Sequence, residues 1–193
     1  MKESTKARIL EAGAEIIHLK GFNHTGIQEI LSAAGVPKGS FYNYFRNKED
    51  FGLQIIDHFS AQFAFLAKTI LEDGKLPPLE RIKRVLDWFM DFFQSKDYSY
   101  GCPVGNLAQE MGDLSPSFRD KLKGAIDLMA ESYLSVIEEA QASGDVSKAL
   151  DMKGAAYFIV ASWHGALIRM KLVKSLEPLK NHSKFVFDCI LRP

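Results

Sequence analysis

The sequence lacks several features that would assign it to particular classes of protein. It has only two cysteines, Cys102 and Cys189, in 193 residues, so no disulfide framework is indicated and a reducing cytoplasm fits. No apolar run approaches the roughly 20 residues that span a bilayer. The N-terminal stretch MKESTKARILEAGAEIIHLKG mixes charged and apolar residues and has no signal-peptide core. These absences predict a cytoplasmic protein with no membrane partner.

The chain also has no excess of charge of either sign. Lys+Arg and Asp+Glu both number 24, so the formal net charge is +0 and the total predicts no charged partner. A neutral total can still contain a local field. Between Lys20 and Lys48 the cationic residues Lys20, Lys38, Arg46 and Lys48 face one acid, Glu29. This segment is therefore the place to search for an anionic partner.

Signals for catalysis are missing as well. The sequence has no cluster of histidine, cysteine and acidic residues at metal-ligand spacing, no glycine-rich phosphate loop and no nucleophile elbow. His164 lies among apolar residues in a helical segment, which is typical of a core or interface histidine. We therefore predict no enzyme activity, no metal and no cofactor.

What is present is a 3.6-residue apolar period along nearly the whole chain, which predicts an all-α fold of about nine helices. Thr25 and Gln28 have capping-box spacing for the second helix, and Asn47 can cap the fourth. The linker EDGKLPP follows the fourth helix. We predict a DNA-binding domain over 1–48, continuing into the fourth helix at about 48–71, and a ligand-binding and dimerisation domain over 72–193. The predicted helices span 4–20, a segment that begins at 25 and ends before AAGVPKG, 38–45, 48–71, 78–95, a short segment after Pro103, 116–144, 151–174 and 178–191.

The second and third helices are separated by a glycine turn, which is the spacing of a helix-turn-helix. Phe41 and Phe45 stand four residues apart, so they share a face and are expected to be buried. Lys38, Tyr42 and Asn43 then lie on other faces of the helix, and Tyr44 lies at the edge of the buried face. A short helix with a buried stripe and a polar stripe can enter a major groove, and tyrosine hydroxyls can donate to phosphates. A plain amphipathic surface helix is the alternative.

The stretch TGIQEILSAAGVPKGSFYNYFRNKEDFGLQII resembles the DNA-binding domain of the TetR/AcrR family of bacterial regulators, over about residues 5 to 55. The resemblance implies an all-α homodimer that binds double-stranded operator DNA, most often as a repressor. It also implies that a small molecule bound by the C-terminal domain releases the protein from the DNA. It implies phosphate contacts from Thr25, Tyr42, Tyr44 and Lys48. It also implies base-facing positions at Lys38, Gly39, Ser40 and Asn43, with Gln28 assisting.

The segment AAYFIVASWHGALIRMKLV is apolar around most of its girth, so it must be buried on several faces. Its small residues Ala161, Gly165 and Ala166 allow close helix approach. We predict a homodimer formed by residues 151–191, and a core helix of a monomer is the alternative. Cys189 is expected to lie on the apolar face of the last helix and to be inert.

The second half also contains candidates for an effector pocket, although plain core is the commoner role for each of these residues. They are Trp88, Phe89, Phe92, Phe93, Met111, Phe118, Met129, Tyr133 and Trp163. Cys102 precedes Pro103, a favoured first residue of a helix, and a helix N-terminus lowers the pKa of a thiol. GCPVGNLAQE is similar to the regulatory domains of a TetR subgroup that senses electrophiles and oxidants. A C-terminal half that binds a protein is a further alternative.

Overall fold

The computed structural model describes residues 4–193, and within them the chain forms helices and turns without a β-strand. This confirms the predicted all-α fold for that part of the chain. In the same range no helix combines the length and the apolar character needed to cross a membrane. The elements are α1 Thr5–Lys20, α2 Ile27–Ala33, a 3₁₀ helix Lys38–Asn43, α3 Lys48–Leu71, α4 Pro78–Ser95, α5 Pro103–Met111, α6 Pro116–Ser143, α7 Met152–Val173 and α8 Glu177–Phe185.

Local sequence signals set many of these boundaries. Gly21 ends α1 with φ 84°, and its N–H donates to the carbonyl of Ile17 at 2.8 Å. Gly35 takes φ 63° after α2, a conformation that glycine adopts without a Cβ penalty. The Asn47 side chain accepts from the N–H of Asp50 at 2.8 Å at the start of α3. The predicted glycine turn after the second helix and the predicted capping by Asn47 are confirmed.

Three details of the predicted helices were wrong. Thr25 is not the N-cap of α2, because Gly26 is, and Thr25 instead donates its hydroxyl to the carbonyl of Gly21 at 2.7 Å. The third helix is 3₁₀ and ends at Asn43, two residues early. The last helix widens into one π-helical turn over Val186–Ile190, where Cys189 is exposed rather than packed on an apolar face.

The chain divides into two compact units, and the first is discontinuous in sequence. It comprises the residues up to Ala61 together with Pro103–Ala125. A Cβ added at Gly52 would lie 2.5 Å from both the Phe118 and Phe22 rings, so the two stretches are closely packed. Helix α5 and the start of α6 thus complete the unit that contains the first helices. The functional boundary at residue 72 stays a prediction.

The second unit comprises Gln62–Cys102 and Ile126–Pro193. One part of its core is formed where α4, α7 and α8 meet, and its buried members are Met90, Phe93, Leu167, Met170 and Leu179. Arg81 is buried in the same unit, where it pairs with Glu139 and donates to the carbonyl of Leu71 at 2.6 Å. The buried guanidinium is tolerated because it donates hydrogen bonds to both a carboxylate and a carbonyl.

Candidate functional site

The 3₁₀ helix Lys38–Asn43, called the recognition helix below, is held in place by three phenylalanines. Phe41 and Phe45 are fully buried, with ring centroids 5.1 Å apart. Both rings contact Phe51 of α3, at 5.6 Å and 4.9 Å. The N–H groups of Tyr44 and Phe45 both donate to the Phe41 carbonyl, so the last turn widens and keeps Phe45 on the face of Phe41. The predicted burial of this pair is confirmed.

The opposite face of the recognition helix is polar and open. Tyr42 is 67% exposed and Tyr44, at the edge, is 38% exposed. Lys38, Gly39 and Asn43 are exposed, and Ser40 is half-buried. Within the described residues Lys38 has no salt-bridge partner, whereas Lys20 pairs with Glu29 and Arg46 pairs with Asp50. Gln28, on α2, is also exposed.

No neighbour among residues 4–193 requires a glycine at position 39. A Cβ built at this position meets no heavy atom within 4 Å, and its φ is not positive. A glycine that the fold does not require is consistent with a close approach by a partner from outside.

The turn before the recognition helix is held by a residue that the sequence analysis missed. Nη2 of Arg8 donates to the carbonyls of Ala34 at 2.5 Å and Gly35 at 2.9 Å. The N–H of Val36 also donates to the carbonyl of Leu31, closing a Schellman-type end to α2. No local pattern marks Arg8, since its partners lie 26 and 27 residues away.

Residues 21–25, called the entry turn below, precede α2. Thr25 is only 1% exposed, and its hydroxyl is used within the turn. Its predicted phosphate contact stays a prediction. Lys48 is half-buried, with Nζ 4.6 Å from the Phe22 ring centroid and 3.4 Å from the carbonyl of Asn23. Burial lowers the pKa of Lys48, and the Glu110 carboxylate partly opposes that shift.

Glu110 of α5 is the second residue that sequence reasoning missed. Its Oε2 accepts from the N–H of Phe22 at 2.8 Å, and its Oε1 accepts from the N–H of Asn23 at 2.7 Å. The partners lie 88 and 87 residues apart in sequence, so no spacing rule connects them.

Two protein families match most of this chain. Residues 9–55 match the family described as bacterial regulatory proteins, tetR family, and residues 78–186 match the tetracyclin repressor-like C-terminal domain. The chain belongs to the TetR family. It is therefore a DNA-binding transcriptional regulator, and the residues of the recognition helix fall within the matched N-terminal region.

Individual members of the TetR family are similar to this chain over nearly its whole length. The transcriptional regulator AcuR of Cereibacter sphaeroides is 39% identical over 91% of this chain and 80% of its own. The transcriptional repressor DhaR of Mycobacterium sp. is 32% identical over 96% of this chain and 92% of its own. The crystal structure of Escherichia coli NemR, described as the reduced form, is 28% identical. It matches with a TM-score of 0.87 over 98% of this chain and 99% of that one.

In this TetR-family chain the second unit brings several predicted pocket residues together. The aromatic cluster consists of Trp88, Phe89, Phe92 and Phe93 of α4 with Trp163 of α7. Trp88 stacks on Phe92 at 5.7 Å with an interplanar angle of 3°, and Phe89 lies 6.4 Å from Trp163. Phe89, Phe92, Trp163 and the half-buried Cys102 pack against the core between α4, α7 and α8.

The remaining pocket candidates are placed differently. Tyr133 is buried, and burial, with a smaller contribution from Cys102, raises its pKa. Met129 is buried on the same helix as Tyr133. Met111 and Phe118 were wrongly grouped with these residues, because both belong to the first unit, where Phe118 packs 5.0 Å from Phe22.

Helix α7 leaves an apolar stripe of this TetR-family chain uncovered. Its members recur at alternating steps of three and four residues, and all are exposed; they are Phe158, Ala161, Gly165, Ile168 and Leu172. This is the spacing of a helix-packing seam. Phe185 of α8 is exposed as well. His164, beside the stripe, is half-buried, and burial lowers its pKa.

Proposed function

We propose that this TetR-family protein is a homodimeric repressor that binds operator DNA in the bacterial cytoplasm and leaves it when a small molecule binds. The observation that carries the proposal is the recognition helix, whose buried phenylalanines present Lys38, Tyr42 and Asn43 on one open face. The descriptions of DhaR and NemR as transcriptional repressors support repression as the mode of action.

On operator DNA the predicted contact residues divide into two groups. Tyr42, Tyr44 and Lys48, with Thr25, contact phosphates, which fix position without reading sequence. Lys38, Gly39, Ser40 and Asn43 face base edges, with Gln28 assisting, because asparagine pairs with adenine and lysine with guanine in the major groove.

The exposed α7 stripe and Phe185 supply the homodimer interface within residues 151–191. An apolar seam at this spacing is stable in water only when another helix covers it. A dimer places two recognition helices at half-sites about 34–36 Å apart, or at a multiple of that distance. A stable monomer in light scattering at micromolar concentration would contradict this part of the proposal.

The DNA-binding role is tested by titrating two variants on a selected operator and on a scrambled duplex. Tyr42→Phe removes one hydroxyl donor to phosphate and should weaken binding to both duplexes by a similar factor. Asn43→Ala should instead reduce discrimination between them by about 1–3 kcal/mol. Unchanged affinity in both variants would rule out this face as the DNA contact.

The effector site lies at the aromatic cluster, where Trp88, Phe89, Phe92 and Trp163 offer ring faces to an apolar molecule, with Met129 and Tyr133 contributing further surface. The stacked Trp88–Phe92 pair and the partial exposure of both rings support this location. Loss of effector-dependent DNA release in Trp163→Leu, with operator affinity retained, would be the expected signature.

A second candidate for the release signal is covalent sensing at Cys102. Pro103 begins α5, as predicted, so Cys102 directly precedes a helix N-terminus, and the thiol is half-buried beside the cluster. The structure of the relative NemR is described as the reduced form, which supports testing this signal.

Iodoacetamide labelling across pH, alongside operator release by Cys102→Ser, distinguishes the two signals. A labelling midpoint near or above the ordinary value of about 8.5, with a normal electrophile response in Cys102→Ser, would leave only the non-covalent effector. Labelling of Cys102→Ser reports Cys189 alone and supplies the reference, because the sequence has no other cysteine.

A further inference from the structure

The entry turn receives its support from a helix outside the matched DNA-binding region. The N-terminal family match ends at residue 55, and Glu110 lies inside the C-terminal match over 78–186. Glu110 nevertheless belongs to the same compact unit as the recognition helix.

Both oxygens of this carboxylate are used on consecutive backbone groups. Oε2 accepts from Phe22 N–H and Oε1 from Asn23 N–H, at 2.8 Å and 2.7 Å. Hydrogen bonds to a charged carboxylate are stronger than neutral ones, and two of them together fix the orientation of the turn backbone. Gly21 leaves the necessary room, because a Cβ there would stand 2.8 Å from Oε2.

The same turn holds the Lys48 ammonium. Its Nζ lies over the Phe22 ring and within 3.4 Å of the Asn23 carbonyl. The backbone carbonyl that orients Lys48 thus belongs to the residue whose N–H is bound by Glu110. Lys48 is the cationic member of the group assigned to phosphate.

We propose that Glu110 is a positioning residue for DNA binding, which fixes the entry turn so that Lys48 is oriented towards a backbone phosphate. The proposal rests on the DNA-binding function above. Glu110 touches no DNA itself, and it acts through Phe22, Asn23 and Lys48. The opposing possibility is that its negative charge only repels phosphate, and the two make predictions of opposite sign.

The test uses Glu110→Ala, Glu110→Gln and the control Glu131→Gln, which neutralises an exposed carboxylate of α6 in the second unit. The probe is a duplex that the wild-type protein selects from a random pool. Glu110→Ala should weaken binding by about tenfold or more. It should also reduce the slope of log affinity against log salt by about 1, the contribution of one phosphate contact. Glu110→Gln keeps one acceptor and should show a smaller loss, and Glu131→Gln should match wild type.

Two further readouts separate positioning from a general loss of structure. Lys48→Ala should add little to Glu110→Ala, since both remove the same contact. Amide exchange at Phe22 and Asn23 should rise in Glu110→Gln while thermal unfolding changes little.

Tighter binding by Glu110→Ala would overturn the proposal in favour of charge repulsion. Additive losses with Lys48→Ala and an unchanged salt slope would overturn it in favour of a merely structural role. Wild-type affinity in Glu110→Ala would overturn it outright and leave the DNA-binding function intact. Failure of the wild-type protein to select any duplex would instead remove that function and, with it, this role.

Discussion

Two short segments of the chain are rich in aromatic residues, and the structure treats them differently. Residues 41–45 contain two phenylalanines and two tyrosines, and the phenylalanines are buried while the tyrosines are exposed. Residues 88–93 contain four aromatic residues without a hydroxyl, and they range from the exposed Trp88 to the buried Phe93. Within residues 41–45 the rings that carry a hydroxyl, Tyr42 and Tyr44, are the exposed ones. Where no hydroxyl is present, sequence chemistry does not separate a core ring from a ring that meets a ligand.

The largest expected effect tests whether the exposed apolar stripe of α7 is a binding surface, as the exposed face of the recognition helix is proposed to be. Gly165→Glu places a carboxylate on the α7 stripe, where a Cβ would lie within 4 Å of no described heavy atom outside its own helix backbone. In a dimer the unpaired charge would be buried, at a cost of about 3–5 kcal/mol. Sedimentation should therefore show a monomer. Ala142→Glu, at an exposed position of α6, should leave the wild-type assembly unchanged.

A pair of substitutions on α4 sharpens the distinction between core and surface rings. Phe93→Ala removes a ring that is 3% exposed and should lower the free energy of unfolding by about 3–5 kcal/mol. Trp88→Ala removes a half-exposed ring stacked on Phe92 and should cost about 0.5–1.5 kcal/mol. Urea unfolding measures both. Equal losses would show that Trp88 is core and not a ligand surface.

Gly39→Ala separates the needs of DNA from the needs of the fold. Because the added methyl lies within 4 Å of no heavy atom in the described part of the chain, stability should stay the same or rise by about 0.4–1 kcal/mol. Operator affinity should fall by about 1–3 kcal/mol if DNA fills the space, as in overpacked interiors. Gly124→Ala, also in open space, should leave DNA affinity unaltered. Normal operator binding by Gly39→Ala would show that DNA does not approach this position.

The smallest expected effect is a pH dependence of stability that arises at His182 in the second unit. Nε2 of His182 lies 2.9 Å from the Ser162 hydroxyl, and Nδ1 is buried with no partner among the described residues. Burial lowers the pKa of His182, although the hydrogen bond to the Ile159 carbonyl opposes the shift. The folded state therefore binds this proton less readily than the unfolded chain does. Stability should be full above the unfolded pKa of about 6.5 and should decline as the pH falls below it.

Thermal unfolding at about pH 7.5 and about pH 5.5 checks this difference. His182→Gln should reduce the fall in melting temperature at the lower pH, while His24→Gln, at an exposed position, should not. An equal pH response in wild type and His182→Gln would show that other groups control it.

Sequence reasoning succeeded where the determinant is local. The turn at Gly35 requires only the backbone freedom of that residue, and capping by Asn47 requires only the N–H three residues ahead. Thr25 failed although it is local, because its hydroxyl found the Gly21 carbonyl four residues back instead of an N–H ahead. Arg8 and Glu110 have no signature, since what they bind is set by tertiary packing. The aromatic cluster was foreseen in part, but nothing in the spacing showed that Met111 and Phe118 lie in the other unit.

The discontinuous first unit has a consequence for protein synthesis. A ribosome adds about 5–20 residues per second, and it must make the whole of 62–102 after Ala61 before α5 can reach the entry turn. A nascent chain, or one released early, has the recognition helix but lacks Glu110 and the Phe118 ring that packs on Phe22. Unfinished chains are therefore expected to bind the operator weakly, so that completed protein occupies it.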